Sequence, residues 1–347
     1  MIASLRDAAR AALRRLAASG ASSAYDARLA SEVRRYEGVT NVHDLPPIFH
    51  YWSNKYLRPK LERFGFSSPD GFFAARIAHV ARAVAPRTAA VVSLGAGNCD
   101  TEIGLAKSLL AEGVGNFRIE CVDINAQMLE RGVQLAASAG VAAHVAALRE
   151  DVNRWQPAAR YDVVMANQSL HHIVELERLF DAVAAALAPQ GVFITSDMIG
   201  RNGHMRWPEA LAIVQEFWGR LPPAYRMNQQ LGRYEETFLD WDCSVSGFEG
   251  VRAQDILPLL VERFEFDLFI PFANVIDPFI DRSFGHHFNA DAEWDRGFID
   301  AVHERDEREI RDGSLTPTHA IAAMCSGRPG AGEYLDGLAP RRCVRKP

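Results

Sequence analysis

The 347-residue chain lacks several features that would place it in a specialised class of protein. Its five cysteines form no Cys-x-x-Cys pair, so neither a disulfide framework nor a zinc site is indicated, and a reducing cytoplasm is the expected location. No apolar run approaches the roughly 20 residues that span a bilayer, so no membrane partner is expected. The net charge of −6, with 38 basic residues scattered along the chain, gives no surface for nucleic acid. The 48% apolar content is nevertheless enough to fill a substantial core.

The first 85 residues show helical spacing and no alternating strand. Helices are predicted in "SLRDAARAALRRLAASG", "SAYDARLASEVRRYEG" and "DGFFAARIAHVARAVAP". The Arg- and Ala-rich N-terminus raises the question of a transit peptide, but Asp7 interrupts its acid-free pattern, which favours an amphipathic helix. Residues 1–85 are therefore interpreted as a helical N-terminal cap.

From Ala89 the pattern changes to short β-branched runs that alternate with helices. The candidate strands are "AAVVSL", "FRIECVD", "AHVAAL", "YDVVMAN" and "GVFITSD". This alternation predicts an α/β fold with a doubly wound, mainly parallel sheet covered by helices on both faces. Residues 86–327 are predicted to form this domain, with strands "FEFDLFIPF" and "THAIAAMCS" near its end.

Two segments do not follow the alternation. Residues from 198 to about 250 are too long for a simple connection, so we expect an insertion after the fifth strand that covers the ligand-binding edge of the sheet. Residues 328–347 are rich in Gly and Pro, which predicts a loose C-terminal tail.

The turn after the first strand contains Gly95 and Gly97, where missing side chains let a ligand approach the backbone. A dinucleotide site would place a third glycine where Asp100 stands, and Glu102 follows in the same turn. Repulsion between two carboxylates and a pyrophosphate would weaken binding by an energy on the order of several kcal/mol in a partly dry site. S-adenosylmethionine has no phosphate and carries a sulfonium and an ammonium group, so acidic side chains favour it over a nicotinamide dinucleotide.

Two further acids lie where this cofactor needs them. Asp123 ends the second strand in "IECVDIN", where its carboxylate can accept hydrogen bonds from both ribose hydroxyls; the alternative is an ordinary turn or helix-capping acid. Asp151 in "LREDVNRW" can accept from the adenine amino group; the alternative is a loop aspartate of no special role.

Together these motifs resemble those of the class I S-adenosylmethionine-dependent methyltransferases of the bacterial small-molecule type. "VVSLGAGNCDTEIGLA" resembles the family's glycine motif, "CVDIN" its ribose acid, "EDV" its adenine acid and "YDVVMANQSLHHI" its fourth strand. The resemblance covers about residues 89–200, with closing strands around 264–270 and 318–325. It implies a Rossmann-like sheet of seven strands whose last strand is antiparallel, with S-adenosyl-L-methionine as the cofactor.

The resemblance also implies a set of cofactor-binding positions, although this chain departs from the family's motif at two of its positions. Ser93 stands where the family usually has an acid, and Cys99 stands where it has a third glycine, so Asp100 or Glu102 is expected to supply part of the missing acidic role. The expected cofactor-binding residues are Gly95, Ala96, Gly97, Asp100, Glu102, Asp123, Ile124, Asp151, Val152, Asn167 and Gln168.

The candidate catalytic residues are His171 and His172, directly after the fourth strand, one of which could act as a general base; packing or cofactor contact is the alternative. A second pair, His286 and His287, lies near two aspartates, but adjacent loop histidines seldom ligate one ion together, so no metal is predicted. The candidate substrate-binding residues are Tyr51, Trp52, Tyr56, Tyr234, Arg252, His286 and His287, although the aromatic ones would equally suit a helix–helix core.

The sequence therefore predicts methyl transfer to a small-molecule acceptor (a metabolite, natural product or sugar intermediate) by in-line displacement. One alternative is a nucleotide-dependent oxidoreductase or epimerase, which would need a Tyr-x-x-x-Lys motif that is absent from its usual place after the fourth strand. The other alternative is a non-catalytic cofactor-binding protein with the same fold. The sequence also leaves open whether the protein forms a homodimer.

Overall fold

A central eight-stranded sheet organises the chain in a computed structural model that describes residues 25–34, 45–327 and 331–345. Its strand order is β10-β8-β9-β5-β4-β1-β2-β3. The strands are β1 (Ala89–Leu94), β2 (Phe117–Asp123), β3 (Val145–Arg149), β4 (Tyr161–Asn167), β5 (Leu187–Met198), β8 (Glu265–Phe272), β9 (His319–Cys325) and β10 (Glu333–Tyr334), and a separate hairpin pairs β6 (Met227–Asn228) with β7 (Arg233–Tyr234).

The directions of the strands confirm the predicted fold class. Strands β1 to β5 pair in parallel, whereas β9 runs antiparallel to both β5 and β8. Chain order reverses between β1 and β4, which is where open α/β sheets bind ligands. The carboxyl ends of the parallel strands and the start of β9 share this edge.

The strand count differs from the seven expected, because the C-terminal segment does not behave as a loose tail. Strand β10 pairs in parallel with the edge strand β8, and Leu335 and Cys343 are buried. The segment is ordered because its apolar side chains are buried against the edge of the sheet, although its Gly and Pro content predicted a loop.

Helices cover both faces of the sheet and fill two apolar clusters. Helices α4 and α5 pack on one face with the N-terminal helices, and α7 and α9 pack on the other. The helices are α1 (25–34), α2 (Pro47–Trp52), α3 (Arg58–Glu62), α4 (Pro69–Val84), α5 (Asp100–Ala111), α6 (Ala126–Ser138), α7 (Leu176–Ala186), α8 (Pro208–Trp218), α9 (Ala253–Arg263), α10 (Asp277–Ile280), α11 (Glu293–Asp312) and α12 (Pro340–Cys343).

The N-terminal layer is helical wherever the structure describes it. The first predicted helix lies outside the described residues. The aromatic segment that follows is helical too, because a π-helical turn, Ser53–Leu57, joins α2 to α3. Among the described residues, no helix combines the length and the apolar character needed to cross a membrane.

The insertion after β5 contains α8, the small hairpin and short 3₁₀ turns. Trp218 of α8 is buried against Phe238, Phe279 and Phe284, so the insertion is fastened to the domain by an aromatic cluster.

An ion pair at the opposite end of the sheet ties β4 to the start of β1. The carboxylate of Asp162 accepts two hydrogen bonds from Arg87, at 2.7 and 2.8 Å, and one from the Ala90 amide at 2.9 Å. Burial alone would raise the pKa of Asp162, but these donors outweigh it and hold the pKa below the usual range.

A pH dependence of stability follows for Asp162. A carboxyl whose pKa is lower in the folded chain contributes stability above the unfolded pKa of about 3.9 and loses it as pH falls through the folded value. We expect Asp162→Asn to lower the urea midpoint at pH 7 and to flatten the loss of stability between about pH 5 and pH 3. Parallel pH curves for the two proteins would contradict this contribution.

Candidate functional site

The glycine turn between β1 and α5 comes close to the loop after β4. Gly95 has a φ of +77°, and a Cβ built on it would lie 2.6 Å from the Ser169 Cβ. Ser169 is fixed there, since its hydroxyl donates to the Leu94 carbonyl at 2.7 Å. The missing side chain at Gly95 is therefore a steric requirement as well as a conformational one.

Asp123 joins the glycine turn to the end of β2. Its Oδ2 accepts the Gly97 amide at 2.9 Å, and its Oδ1 accepts the Asn125 amide at 2.8 Å. The residue is only partly buried, and burial raises its pKa. A carboxylate oxygen can accept a second hydrogen bond, so Asp123 still has acceptor capacity toward a ligand hydroxyl.

The two departures from the family's glycine motif have structural compensations. Glu102 reaches back beneath the turn, where its Oε1 lies 2.6 Å from the Ser93 hydroxyl, so a carboxyl group occupies the neighbourhood in which the family has its acid. Cys99 adopts a left-handed conformation, with φ of +59°, that glycine would adopt without strain. Gly132 of α6 accommodates the Cys99 side chain, because a Cβ there would lie 2.8 Å from the Cys99 sulfur.

The burial of Glu102 removes one of the two predicted carboxylates from the ligand side of the glycine turn. Its side chain is 2% exposed and faces Ser93 in the interior, not the ligand side of the turn. Burial raises its pKa to about 7, so Glu102 carries only part of a negative charge near neutral pH. Asp100, by contrast, is partly exposed at the start of α5.

Asp151 lies at the end of β3 and is covered by α1. Both of its carboxylate oxygens accept the Tyr25 hydroxyl, at 3.0 and 2.9 Å, and Oδ1 also accepts the Asn153 amide. Burial, with the bond to Asp151, raises the pKa of Tyr25. Helix α1 thus lies over the position that the sequence assigns to adenine.

A cleft lies between α1 and the ends of β2 and β3. The residues that line it are Val33, Ile124, Asn125, Ala126, Gln127 and Arg149, which includes the predicted Ile124. The other expected cofactor residues border the same edge of the sheet: Ala96 is partly exposed in the glycine turn, Val152 is buried after β3, Asn167 ends β4, and Gln168 follows it in an exposed, left-handed conformation.

The histidine loop after β4 is organised by Asp197 near the end of β5, a residue that the sequence analysis did not single out. Asp197 is 1% exposed; its Oδ2 accepts the Ser169 and Leu170 amides, and its Oδ1 lies 2.6 Å from His171 Nδ1. Burial alone would lower the pKa of His171, but the carboxylates of Asp197 and Glu249 outweigh it and raise the pKa to about 10. In this arrangement His171 holds a proton at neutral pH.

Three further residues, His204, Glu249 and Glu32, surround the histidine pair and were not predicted from the sequence. Glu249 of the insertion lies 3.4 Å from His171 Nε2, and its Oε1 is 2.7 Å from His204 Nε2. Glu32 of α1 lies 3.1 Å from His172 Nδ1 and also accepts the Phe248 amide. None of the three belongs to a recognisable motif that follows a strand. The available signals were the polar residues of "RNGHM", which contains His204, and of "GFEG", which contains Glu249.

The structure places the substrate candidates of the N-terminal layer against α11. The hydroxyls of Tyr51 and Tyr56 donate to Asp300, and the buried Trp52 donates from Nε1 to His303. These contacts are those of a helix–helix core, which was the alternative reading of the aromatic segment.

The remaining substrate candidates are spread over several loops. Arg252 pairs with Glu177 at 2.6 Å and Asp255 at 2.7 Å. Tyr234 is exposed on β7, His286 is exposed, and His287 Nε2 lies 2.6 Å from the Met227 carbonyl. A substrate-binding role for any of these residues stays a prediction.

Comparison with known proteins gives one domain match. Residues 91–191 match the family model described as a methyltransferase domain, which is less than a third of the chain. The match confirms the methyltransferase resemblance drawn from the glycine turn and the strands around it. A comparison with curated proteins found no match.

Solved structures show a distant likeness. An O-methyltransferase of a trans-AT polyketide synthase from Brevibacillus brevis, with S-adenosyl-L-homocysteine, is 15% identical over 87% of this chain and 84% of its own, with a TM-score of 0.44. A methyltransferase from Thiobacillus denitrificans, also with S-adenosyl-L-homocysteine, is 14% identical over 82% and 100%, with a TM-score of 0.41. Geranyl diphosphate C-methyltransferase from Streptomyces coelicolor A3(2) is 14% identical over 72% and 78%, with a TM-score of 0.38. At these values the likenesses carry no argument about what this chain binds.

Proposed function

We propose that this chain, which carries a methyltransferase domain over residues 91–191, transfers a methyl group from S-adenosyl-L-methionine to a small-molecule acceptor. The observation that supports this most strongly is the contact between Asp123 and Gly97. It makes the ribose-type acid and the glycine turn a single site at the switch point of the sheet.

The residues at this edge fit the cofactor. Gly95 lets the turn pack closely against Ser169, and Asp123 has acceptor capacity for ribose hydroxyls. Asp151 lies beyond β3, where its carboxylate, already bonded to the Tyr25 hydroxyl, would also accept from the adenine amino group. Ile124 supplies partly exposed apolar surface in the cleft after β2. When bound, S-adenosylmethionine supplies an electrophilic methyl group on a cationic sulfur, and acidic neighbours suit that charge.

The acceptor is proposed to lie over the ends of β4, β5 and β8 and the start of β9. This part of the edge carries the histidine loop, Glu249, Arg206 and His319, which gives a polar wall for a hydroxyl- or amine-bearing molecule. The insertion and α1 cover the edge from outside, as expected for a site that excludes water and admits a small acceptor.

The base that would deprotonate the acceptor stays a prediction. His171 already holds its proton through two carboxylates, so it is placed to hold charge and to orient the loop. His172 is less buried and faces Glu32 and Glu249. A cytoplasmic location and a homodimer also stay predictions.

The test uses the full-length protein, S-adenosylmethionine labelled in its methyl group and a set of candidate acceptors read by mass spectrometry. We expect a labelled product together with stoichiometric S-adenosylhomocysteine. Asp123→Ala serves as the negative control, and Glu112→Ala, an exposed acid at the end of α5, serves as the matched positive control. Donor binding without product from any acceptor would favour the non-catalytic alternative.

A further inference from the structure

Three side chains from separate loops converge beside the proposed acceptor position. His171 follows β4, His204 follows β5, and Glu249 precedes α9. One possible ligand atom from each lies within 4.8 Å of the other two. The convergence is a product of folding, since 33 residues separate His171 from His204 and 45 separate His204 from Glu249.

We propose that His171, His204 and Glu249 bind a divalent transition-metal ion. Two imidazoles and one carboxylate are a known ligand set for Zn²⁺ and for Fe²⁺ or related ions, and they leave coordination positions open for water or substrate. No cysteine thiolate takes part, which disfavours a purely structural zinc site.

The hydrogen bonds behind the ligands support this assignment. Metal-binding histidines usually donate their second ring N–H to a carboxylate, which fixes the ring and exposes the other nitrogen. His171 has this arrangement, because Nδ1 lies 2.6 Å from the buried Asp197 and Nε2 therefore faces Glu249. Asp197 is itself held by the Ser169, Leu170 and Met198 amides.

A divalent ion in this cluster would take the place of the proton on His171 Nε2. Glu249 lies beside His171 and His204, and its second oxygen is 3.7 Å from His172 Nε2. Without an ion, the protonated His171 pairs with Asp197 and Glu249; metal binding would release the Nε2 proton and leave a lone pair for the ion. A divalent ion at the centre would satisfy both imidazole lone pairs and the carboxylate at once.

A chemical role for the ion rests on the proposed function. A hydroxyl of the acceptor bound at an open coordination position would have a lowered pKa and lose its proton to solvent. The resulting oxygen would form a bond to the methyl carbon as the carbon–sulfur bond breaks, and that electron pair would remain on sulfur, leaving a neutral thioether. The acceptor class is then a hydroxylated molecule.

The experiment is metal binding by the full-length protein after treatment with a chelator. Zn²⁺ is titrated calorimetrically, and Co²⁺ is added separately so that its visible absorption reports coordination by nitrogen and oxygen. We expect about one equivalent of each ion to bind and His204→Ala and Glu249→Gln each to weaken binding at least about 100-fold. Asp197→Asn should weaken it by about 10- to 100-fold without removing a ligand.

The control is His79→Ala, which removes an exposed histidine of α4 and should leave binding unchanged. Glu249→Gln is nearly isosteric, so it keeps the test decisive if His204→Ala fails to fold. Absence of binding to the wild-type chain would overturn the proposal. Binding that persists in both ligand variants and disappears in Cys99→Ser would overturn it too, by placing the ion at the buried cluster of Cys99, Glu102 and Cys121.

Binding of S-adenosylhomocysteine, measured on the same samples, separates this proposal from the proposed function. Cofactor binding without metal binding would remove the metal site alone. Metal binding without cofactor binding would leave the metal site standing and remove the methyltransferase assignment.

Discussion

Asp123→Ala is expected to weaken binding of S-adenosylhomocysteine by about 100-fold, or about 3 kcal/mol. The carboxylate would lose two charge-assisted hydrogen bonds to ribose hydroxyls, and the Gly97 and Asn125 amides would lose their acceptor. Isothermal titration calorimetry measures the change directly.

The matched control for Asp123 is Glu112→Ala, which removes an exposed acid from the end of α5 and should leave affinity unchanged. Thermal unfolding of both variants shows whether the turn has collapsed. An Asp123→Ala protein that stays folded and binds as tightly as the wild type would contradict the role assigned to this residue.

Gly95→Ala is expected to destabilise the protein by about 3 kcal/mol and to abolish detectable cofactor binding. The new methyl group would occupy a left-handed backbone position and lie 2.6 Å from the Ser169 Cβ. Ser169 cannot move without breaking its bonds to Leu94 and Asp197. Urea unfolding gives the stability change, and calorimetry gives the affinity.

Gly104→Ala is the matched control for Gly95→Ala. Gly104 lies at an exposed position of α5, where an added Cβ meets no atom within 4 Å. Alanine should therefore stabilise the helix by about 0.4–1 kcal/mol and leave binding intact. Equal and small effects of the two substitutions would show that the close approach at Gly95 is not a constraint.

The sequence predicts the sheet and the cofactor edge because their signals are local. Strand periodicity identifies β1, β2, β4 and β5, and a glycine turn followed by an acid after the next strand places Gly97 and Asp123 at one edge. In parallel sheets these positions meet by topology alone. The same logic could not reveal β10, since two residues are too few to show a period.

The acceptor side could not be predicted in the same way. His204, Glu249 and Glu32 come from the insertion and from α1, where no repeating pattern fixes which side chain faces the site. Asp197 sits within a strand otherwise identified by its apolar residues. Their positions depend on tertiary packing, such as the burial of Trp218 that fastens the insertion.

The departures at Ser93 and Cys99 show why a motif must be considered together with its surroundings. Glu102 returns a carboxyl group to Ser93 from the following helix, and Gly132 makes room for the Cys99 side chain from another helix. Because Glu102 is buried and its pKa is raised to about 7, electrostatic repulsion of a pyrophosphate depends on Asp100, which stays partly exposed in the first turn of α5.

The central claim is that this edge binds S-adenosylmethionine and not a nicotinamide dinucleotide. Calorimetric titration of the full-length wild-type protein with S-adenosylhomocysteine and, separately, with NADH tests it most directly. Our account predicts saturable binding of S-adenosylhomocysteine and no heat of binding for NADH. Saturable binding of NADH, with none for S-adenosylhomocysteine, would contradict it.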